Sequence, residues 1–143
     1  RLEVARRFGA TATVDASTTD LAAAVAAVAP GGLDAAVDTT GVAGVVRQVV
    51  PLLTTRGTLA VVGAGPSTEM VLDWRTVLNG RTVTGVIGGN SVPDVFLPEL
   101  VGLHRAGRFP VDELVRYYPF EEINAAVEAS VRGEVVKPVL TFG

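Results

Sequence analysis

Residues 57–65 read Gly-Thr-Leu-Ala-Val-Val-Gly-Ala-Gly and constrain the fold more than any other stretch of the chain. Consecutive apolar residues between glycine breaks are typical of a strand that is buried on both faces of a parallel sheet. Residues 82–90, Thr-Val-Thr-Gly-Val-Ile-Gly-Gly-Asn, repeat this order. Open α/β sheets bind ligands beyond the carboxyl ends of their strands, where glycine lets a ligand approach the backbone. The two strand ends are therefore predicted to form one wall of a binding cleft.

Length and composition exclude several classes of protein. The chain has 143 residues, of which 48% are apolar and 19% charged, so it can bury the core of an ordinary domain. A net charge of -3 without a basic stripe argues against nucleic acid as a partner, and no apolar run is long enough for a membrane span. The absence of cysteine excludes disulfides and thiolate chemistry and permits a cytoplasmic location. One histidine without cysteine cannot build the usual zinc sites.

Strand-like and helix-like segments alternate along the first 90 residues, which predicts βαβ units and a parallel sheet. The first predicted helix ends at Gly9, and the second begins behind the possible cap residues 17–20. The third covers about residues 42–53, where Pro51 distorts the last turn. The predicted strands cover residues 10–15, 33–38 and 59–62, and a last one begins at residue 82. Turns are predicted at residues 54–57 and 66–69, a short edge strand at residues 70–73, and a helical turn at residues 74–79.

Two helices and a strand are predicted in residues 91–143. The first helix begins at Ser91, with Asp94 as the acid of a capping box, and ends near Gly107. The second covers residues 121–132, with Gly133 as its carboxyl cap. Its inward-facing residues are predicted to be Ile123, Ala126, Val127 and Val131. Residues 137–142 form the closing strand.

Six stretches of the chain, in one collinear order, resemble the carboxyl-terminal part of the zinc-type medium-chain alcohol dehydrogenases. The resemblance is closest to the aryl-alcohol (benzyl-alcohol) dehydrogenase branch, mainly through residues 85–119. The stretches are ARRFGAT at residues 5–11, DAAVDTTG at 34–41, GTLAVVG at 57–63, GVIGGNSVP at 85–93, RAGRFP at 105–110 and KPVLTF at 137–142.

The resemblance implies a partial Rossmann-type, doubly wound parallel α/β sheet at residues 1–90. A carboxyl-terminal helical tail and closing strand follow at residues 91–143, which in relatives pack on the catalytic domain. The first strands and the Gly-x-Gly-x-x-Gly turn of this fold are missing, and the zinc ligands would lie upstream. In the usual strand order 3-2-1-4-5-6, the strand at residues 10–15 has lost its neighbours. We therefore expect that another chain covers this gap or that the amino-terminal segment is displaced.

The start of the chain leads to a related expectation. The sequence has no initiator methionine and opens in what looks like the middle of a helix, with Leu2, Ala5 and Phe8 at helical spacing. Trimming of the chain is one explanation. The favoured one is a longer protein that continues upstream.

The resemblance also implies which residues contact a nicotinamide dinucleotide. Thr40 and Gly41 would lie near the adenosine side, although they also suit the start of a helix. The main-chain groups that would hold the nicotinamide carboxamide, unless the glycines merely end buried strands, belong to Val62, Gly63, Ala64, Val86, Ile87 and Gly88. Lys137 matches a basic position that reaches the pyrophosphate in relatives, although an ordinary surface lysine is nearly as good an interpretation.

Other polar residues receive structural interpretations. Asp34 and Asp38 are interpreted as a strand-edge charge and a turn acid, and His104 as a residue on the polar side of its helix. Tyr117 and Tyr118 are assigned to packing. No catalytic residue and no metal ligand is predicted in this chain.

The predicted function is part of a zinc- and NAD(P)-dependent alcohol dehydrogenase, in which hydride passes between a small, possibly aromatic alcohol or aldehyde and NAD or NADP. The chain alone would be inactive. One alternative is a zinc-independent quinone or enoyl reductase of the same superfamily, and another is a non-catalytic α/β interaction module. Relatives imply a homodimer or larger assembly through an edge strand near residues 70–73, from Met70 to Asp73.

Overall fold

The computed structural model describes residues 1–65 and 69–143, so most of the turn predicted at residues 66–69 lies outside the described residues. The helices are α1 (Leu2–Arg7), α2 (Leu21–Val28), α3 (Ala43–Val49), α4 (Trp74–Leu78), α5 (Pro93–Arg105) and α6 (Ile123–Val131). The strands are β1 (Leu33–Asp38), β2 (Leu53–Val61), β3 (Thr82–Gly85), β4 (Val115–Pro119) and β5 (Lys137–Thr141).

Close packing divides the chain into two units. The central unit is Val14–Ser91, and the terminal unit combines Arg1–Thr13 with Val92–Gly143. The sequence places the domain boundary between residues 90 and 91 and assigns the first residues to the dinucleotide-binding domain. In the structure these first residues belong to the terminal unit. None of the helices in the described part of the chain combines the length and apolar character needed to cross a lipid bilayer.

The central unit is built on a parallel sheet with the strand order β1-β2-β3. Asp38 of β1 lies beside Val61 of β2, and Val61 lies beside Gly85 of β3. The carboxyl ends of the three strands therefore meet at the same edge of the sheet. This arrangement confirms the predicted fold class. Among the described residues, β1 and β3 are the two outer strands.

The hydrophobic core of the central unit is formed by the α3 segment and β2. Val46, Val50, Leu53 and Leu59 are each no more than 3% exposed. Val46 and Val50 are four residues apart and so lie on the same face of a helical segment. Full burial of a valine or leucine side chain stabilises a fold by about 1.5–3 kcal/mol, so each of these four residues contributes a favourable term of about that size.

The helix predicted over residues 42–53 is shorter in the structure. α3 ends at Val49, and a 3₁₀ turn over Val50–Leu52 leads directly into β2. Pro51 explains the change, because proline has no N–H to continue the α-helical hydrogen bonding. The distortion predicted for the last turn is therefore a true end of the helix.

The turn predicted at residues 54–57 is wrong, since β2 already runs through it. The strand is irregular there: its register against β1 shifts between Leu33 and Ala35. Arg56 takes a positive φ of 67°, and a Cβ on Gly57 would lie 2.8 Å from the carbonyl oxygen of Leu33. The predicted turn at residues 54–57 therefore corresponds to an irregular part of β2 and not to a connection between two elements.

The strand predicted at residues 10–15 is also wrong. These residues pair with no strand in the described part of the chain. Asp15 instead accepts hydrogen bonds from the N–H and the hydroxyl of Ser17, which turns the chain toward α2. A strand needs a neighbour for its main-chain N–H and C=O groups, and the strand order gives these residues none.

Residues 70–73 do not form the predicted edge strand. Asp73 is the N-cap of α4, and its carboxylate accepts hydrogen bonds from the N–H groups of Arg75 (2.7 Å) and Thr76 (3.3 Å). The prediction of a helical turn at residues 74–79 is confirmed by α4. Capping by Asp73 thus favours the start of a helix over an extended segment at this position.

The terminal unit is built on the parallel pair β4-β5, against which α6 packs. Buried side chains include Tyr118, Ala126, Ala129 and Val135. The sequence predicts that Ile123, Val127 and Val131 of α6 face inward, but they are 38%, 54% and 83% exposed. The helix uses its small alanines for the contact.

Two helix caps that the sequence assigns in residues 91–143 can be compared with the structure. The capping box at Ser91 is wrong: Val92 is the N-cap of α5, and the Ser91 hydroxyl donates to the carbonyl oxygen of Gly88 at 2.6 Å. The cap at Gly133 is confirmed. Its φ is +74°, and the N–H groups of Gly133 and Glu134 donate back into the last turn of α6.

Candidate functional site

The carboxyl edge of the central sheet is formed by the segments that follow β1, β2 and β3. Thr40 and Gly41 follow β1, and the register places this strand end beside the end of β2. The predicted residues after β2 and after β3 continue this edge in the same register; they are Val62, Gly63, Ala64, Val86, Ile87 and Gly88. The structure therefore brings these predicted cofactor residues together in one place.

Asp38 joins the first two of these segments. Its carboxylate accepts hydrogen bonds from the Thr40 hydroxyl (2.6 Å), the Thr40 N–H (3.2 Å) and the Gly41 N–H (3.0 Å). Its main-chain carbonyl oxygen accepts from the N–H groups of Val62 (2.9 Å) and Gly63 (3.1 Å). One residue thus fixes the chain after β1 with its side chain and the chain after β2 with its backbone.

The environment of Asp38 keeps its carboxyl group ionised. Burial by itself would raise the pKa of Asp38, which is only 5% exposed. The hydrogen bonds from Thr40 and Gly41 together outweigh burial and lower the pKa below its usual value, because they stabilise the charged form. The sequence interprets Asp38 as a turn acid, and the Asp-Thr-Thr-Gly order does suit a local side-chain turn. Its backbone bonds to the segment after β2 carry no sequence signal.

Three glycines let the first two segments touch backbone to backbone. A Cβ on Gly41 would lie 2.5 Å from the carbonyl carbon of Ala64, and one on Gly63 would lie 2.6 Å from that of Thr39. A Cβ on Gly65 would overlap the carbonyl group of Gly41. The sequence attributes glycine at this edge to the approach of a ligand. In the structure these glycines instead allow two parts of the chain to approach each other.

The segment after β3 is open. Gly88 and Gly89 have positive φ values of +54° and +67°, and a Cβ on either would meet nothing within 4 Å. Ile87 in this segment is 91% exposed, and Val62 in the segment after β2 is 44% exposed. Apolar side chains at such exposure lose hydration when a ligand with an apolar face covers them.

Several main-chain groups at this edge have no hydrogen-bond partner within the described residues. They include the carbonyl oxygens of Val62, Gly63 and Val86 and the N–H groups of Ala64, Ile87 and Gly88. Val61 lies beside Gly85 in the β2-β3 register, so Val62 and Val86 are the next residues of the two segments. Among these groups, two acceptors and one donor would complement a primary carboxamide, which has two N–H donors and one carbonyl acceptor.

A cavity of about 350 Å³ opens beside the segments that follow β1 and β2. Two of its lining residues, Glu69 and Met70, were not predicted, since no local pattern marks them. The full lining is Gly41, Ala43, Val46, Val61, Gly63, Ala64, Gly65, Glu69 and Met70.

Lys137 and His104 belong to the terminal unit. Lys137 is the first residue of β5 and has an exposed side chain, and its contact with a pyrophosphate stays a prediction. The Nδ1 atom of His104 lies 3.0 Å from the carbonyl oxygen of Phe109 and 3.6 Å from the Asp112 carboxylate. These contacts tie the end of α5 to the following turn, in agreement with a structural role for the histidine.

Comparison with known proteins identifies the family. The sequence model of the zinc-binding dehydrogenases matches residues 1–102. The chain belongs to the zinc-binding dehydrogenase family. Geraniol dehydrogenase of Castellaniella defragrans is 35% identical to it over 127 residues, which cover 86% of this chain and 34% of that protein.

Solved structures of the family agree. Benzyl alcohol dehydrogenase from Acinetobacter calcoaceticus matches 99% of this chain and 40% of its own, with a TM-score of 0.94 and 38% identity. For an alcohol dehydrogenase zinc-binding domain protein from Burkholderia ambifaria, the match covers 99% of this chain and 39% of that protein, with a TM-score of 0.93 and 40% identity. The predicted family is confirmed, and benzyl alcohol dehydrogenase represents the predicted branch. The chain spans between a third and two fifths of the length of these relatives.

The described residues do not fit the zinc ion that gives this dehydrogenase family its name. No group of three or more His, Cys, Asp or Glu side chains in residues 1–65 and 69–143 could hold a metal ion. The carboxyl edge offers main-chain groups that are unpaired within the described residues, beside exposed apolar side chains.

Proposed function

We propose that this chain acts within a longer zinc- and NAD(P)-dependent alcohol dehydrogenase, where its carboxyl edge forms one wall of the nicotinamide site. NAD or NADP supplies the hydride acceptor for the alcohol carbon. The residues proposed to contact the dinucleotide are Thr40, Gly41, Val62, Gly63, Ala64, Val86, Ile87, Gly88 and, at the pyrophosphate, Lys137. The names of the relatives support an alcohol or aldehyde as the substrate.

The free main-chain groups at the edge carry this proposal. The carbonyl oxygens of Val62 and Val86 would accept the two N–H groups of the nicotinamide carboxamide, and the Gly88 N–H would donate to its oxygen. This pattern fixes the orientation of the ring as well as its position. Backbone groups suit the task because the sheet already holds them in place, so binding orders few additional atoms.

The exposed side chains beside these groups add an apolar contact. Ile87 and Val62 would lose their exposure against a nicotinamide ring, and they would exclude water from its face. Residue 87 is the more exposed of the two, so we expect its side chain to matter more for affinity.

We also propose that the longer protein forms a homodimer or a larger assembly through the region of Met70–Asp73. Val71, Trp74 and Leu78 in or just after this region are 76%, 74% and 62% exposed. Trp74 and Leu78 share one face of α4, since they are four residues apart. Exposed apolar residues that are grouped in this way are typical of a surface that a second copy covers. A cytoplasmic location stays a prediction, which the absence of cysteine permits.

A chimeric enzyme tests the proposed function. This chain would replace the matched 40% of the Acinetobacter benzyl alcohol dehydrogenase. We expect the chimera to bind NADH or NADPH and to oxidise benzyl alcohol, as measured by cofactor fluorescence and by absorbance of the reduced nicotinamide. A chimera that is folded and zinc-loaded but binds neither cofactor would show that the proposed function is wrong.

Cofactor analogues test the main-chain contacts in the same chimera. The 3-acetylpyridine analogue replaces the carboxamide nitrogen by a methyl group, so it cannot donate to the carbonyl oxygens of Val62 and Val86. We expect it to bind about tenfold more weakly than NAD, because buried acceptors without donors are costly. The thionicotinamide analogue keeps both N–H donors and serves as the matched control. Equal binding of all three would contradict the assigned hydrogen bonds.

A further inference from the structure

In the described residues Asp38 is the one charged side chain that the fold buries. A buried carboxylate is costly unless its oxygens accept hydrogen bonds, and apolar residues would pack at lower cost. Asp38 meets this requirement through the three donors of Thr40 and Gly41. A charge that is kept in place with such bonds suggests a task beyond packing.

The hydrogen bonds of Asp38 act in two directions. Its carboxylate holds the segment after β1, whereas its main-chain oxygen holds Val62 and Gly63 in the segment after β2. At Gly41 and Gly63 the main chains of the same two segments lie in close contact. Both segments contain residues of the proposed nicotinamide wall.

We propose that Asp38 is a positioning residue: its carboxylate holds the segment after β1 so that the segment after β2 keeps the orientation that binds the nicotinamide. This inference rests on the proposed function and adds a residue that touches no cofactor. The bond from the Thr40 hydroxyl to the carboxylate, at 2.6 Å, and the bond from the Val42 N–H to the Thr40 hydroxyl, at 3.1 Å, extend the network to the start of α3.

Hydrogen exchange of the full chain tests the positioning role. Asp38→Asn keeps one acceptor oxygen and presents an N–H₂ donor where the second oxygen accepted. The N–H groups of Val62 and Gly63 bond to the main-chain oxygen of residue 38, which this substitution leaves in place. The substitution instead weakens the bonds of the charged carboxylate, which hold the segment after β1. Because hydrogen bonds to charged groups are worth at least a factor of ten, we expect the protection of the Val62 and Gly63 N–H groups against exchange to fall about tenfold or more. Unchanged protection at both would overturn the proposal.

Asp34→Asn is the matched control, because Asp34 lies on the same strand and its exposed carboxylate accepts one hydrogen bond among the described residues, from the Thr54 hydroxyl at 3.3 Å. It should leave the protection of Val62 and Gly63 unchanged. Amides of the β2-β3 pair, away from residue 38, report whether the central unit is still folded.

A second substitution keeps the test decisive if Asp38→Asn does not fold. Thr40→Val removes the hydroxyl donor and leaves the carboxylate in place, so protection of Val62 and Gly63 should fall about threefold. Thr40→Ser retains the hydroxyl and should restore it. A fall that Thr40→Ser does not reverse would contradict the role of the network.

The chimera separates this inference from the proposed function. Asp38→Asn in the chimera should raise the KM for the nicotinamide cofactor about tenfold and leave the KM for benzyl alcohol nearly unchanged. An unchanged cofactor KM would overturn the positioning role. If the unsubstituted chimera binds no cofactor, the proposed function is wrong, and exchange at Val62 and Gly63 alone then decides whether Asp38 orients that segment.

Discussion

The segments after β2 and after β3 have similar sequences but use their glycines for different purposes. Gly63 and Gly65 lie against the backbone around Gly41, where a Cβ would overlap other main-chain atoms. Gly88 and Gly89 lie in open space and need glycine only for their positive φ values. A glycine-rich strand end therefore has at least two physical causes, contact between chain segments and backbone conformation. Only the open glycines of the second kind, Gly88 and Gly89, leave room for a ligand to approach the backbone.

The largest expected effect is at Gly63. Gly63→Ala would place a Cβ 2.6 Å from the carbonyl carbon of Thr39, and that backbone cannot move without breaking the hydrogen bonds to Asp38. We expect a loss of about 3 kcal/mol or more in the free energy of unfolding, measured by urea denaturation. A loss of less than about 1 kcal/mol would show that the two segments are not packed as described.

The second effect concerns pH. The lowered pKa of Asp38 means that its ionised form stabilises the fold. This contribution is fully present above the unfolded pKa of about 3.9 and is lost as the pH falls through the lower folded value. The free energy of unfolding should therefore decrease below about pH 4. Asp38→Asn should lack this part of the pH dependence, whereas Asp34→Asn should retain it. Identical profiles for all three proteins would contradict the assignment.

A smaller effect is expected at Gly89. Gly89→Ala meets no neighbouring atom, so its cost is that of a positive φ in a residue with a side chain, about 1 kcal/mol. Gly89→Asn should cost less, because asparagine tolerates this conformation better. Thermal or urea unfolding would measure both. A cost at residue 89 as large as that at Gly63 would remove the distinction between the two segments.

The smallest effect should have the opposite sign. Gly44 lies in α3 with nothing within 4 Å of its missing Cβ and without a positive φ. Gly44→Ala should stabilise the protein by about 0.5–1 kcal/mol, since alanine favours the helix. The same denaturation series provides the measurement. Destabilisation by Gly44→Ala would mean that the space beside α3 is not open.

The sequence was informative wherever structure depends on neighbouring residues. Apolar runs predicted β1, the end of β2 and the start of β3, and local patterns predicted a cap within residues 17–20, where Asp20 is the N-cap, and the cap at Gly133. The register that places Val61 beside Gly85 follows from parallel strands in the order that the resemblance implies. The placement of most predicted site residues on one edge was therefore predictable.

Pairing between distant residues was not predictable. The strand at residues 10–15 fails because no described strand lies beside it, and nothing within the segment signals this. The role of Asp38 depends on burial and on backbone bonds to a segment more than 20 residues away. Val127 and Val131 look like core residues by composition, but Ala126 and Ala129 make the contact with β4 and β5.

The outer edge of β1 has a consequence for the longer protein proposed above. Among the described residues no strand covers this edge, and Val37 on the same strand is 65% exposed. An unpaired strand edge readily adds a further strand, because its main-chain N–H and C=O groups lack partners. In the longer protein we therefore expect this edge to be covered, so that Val37 loses much of its exposure.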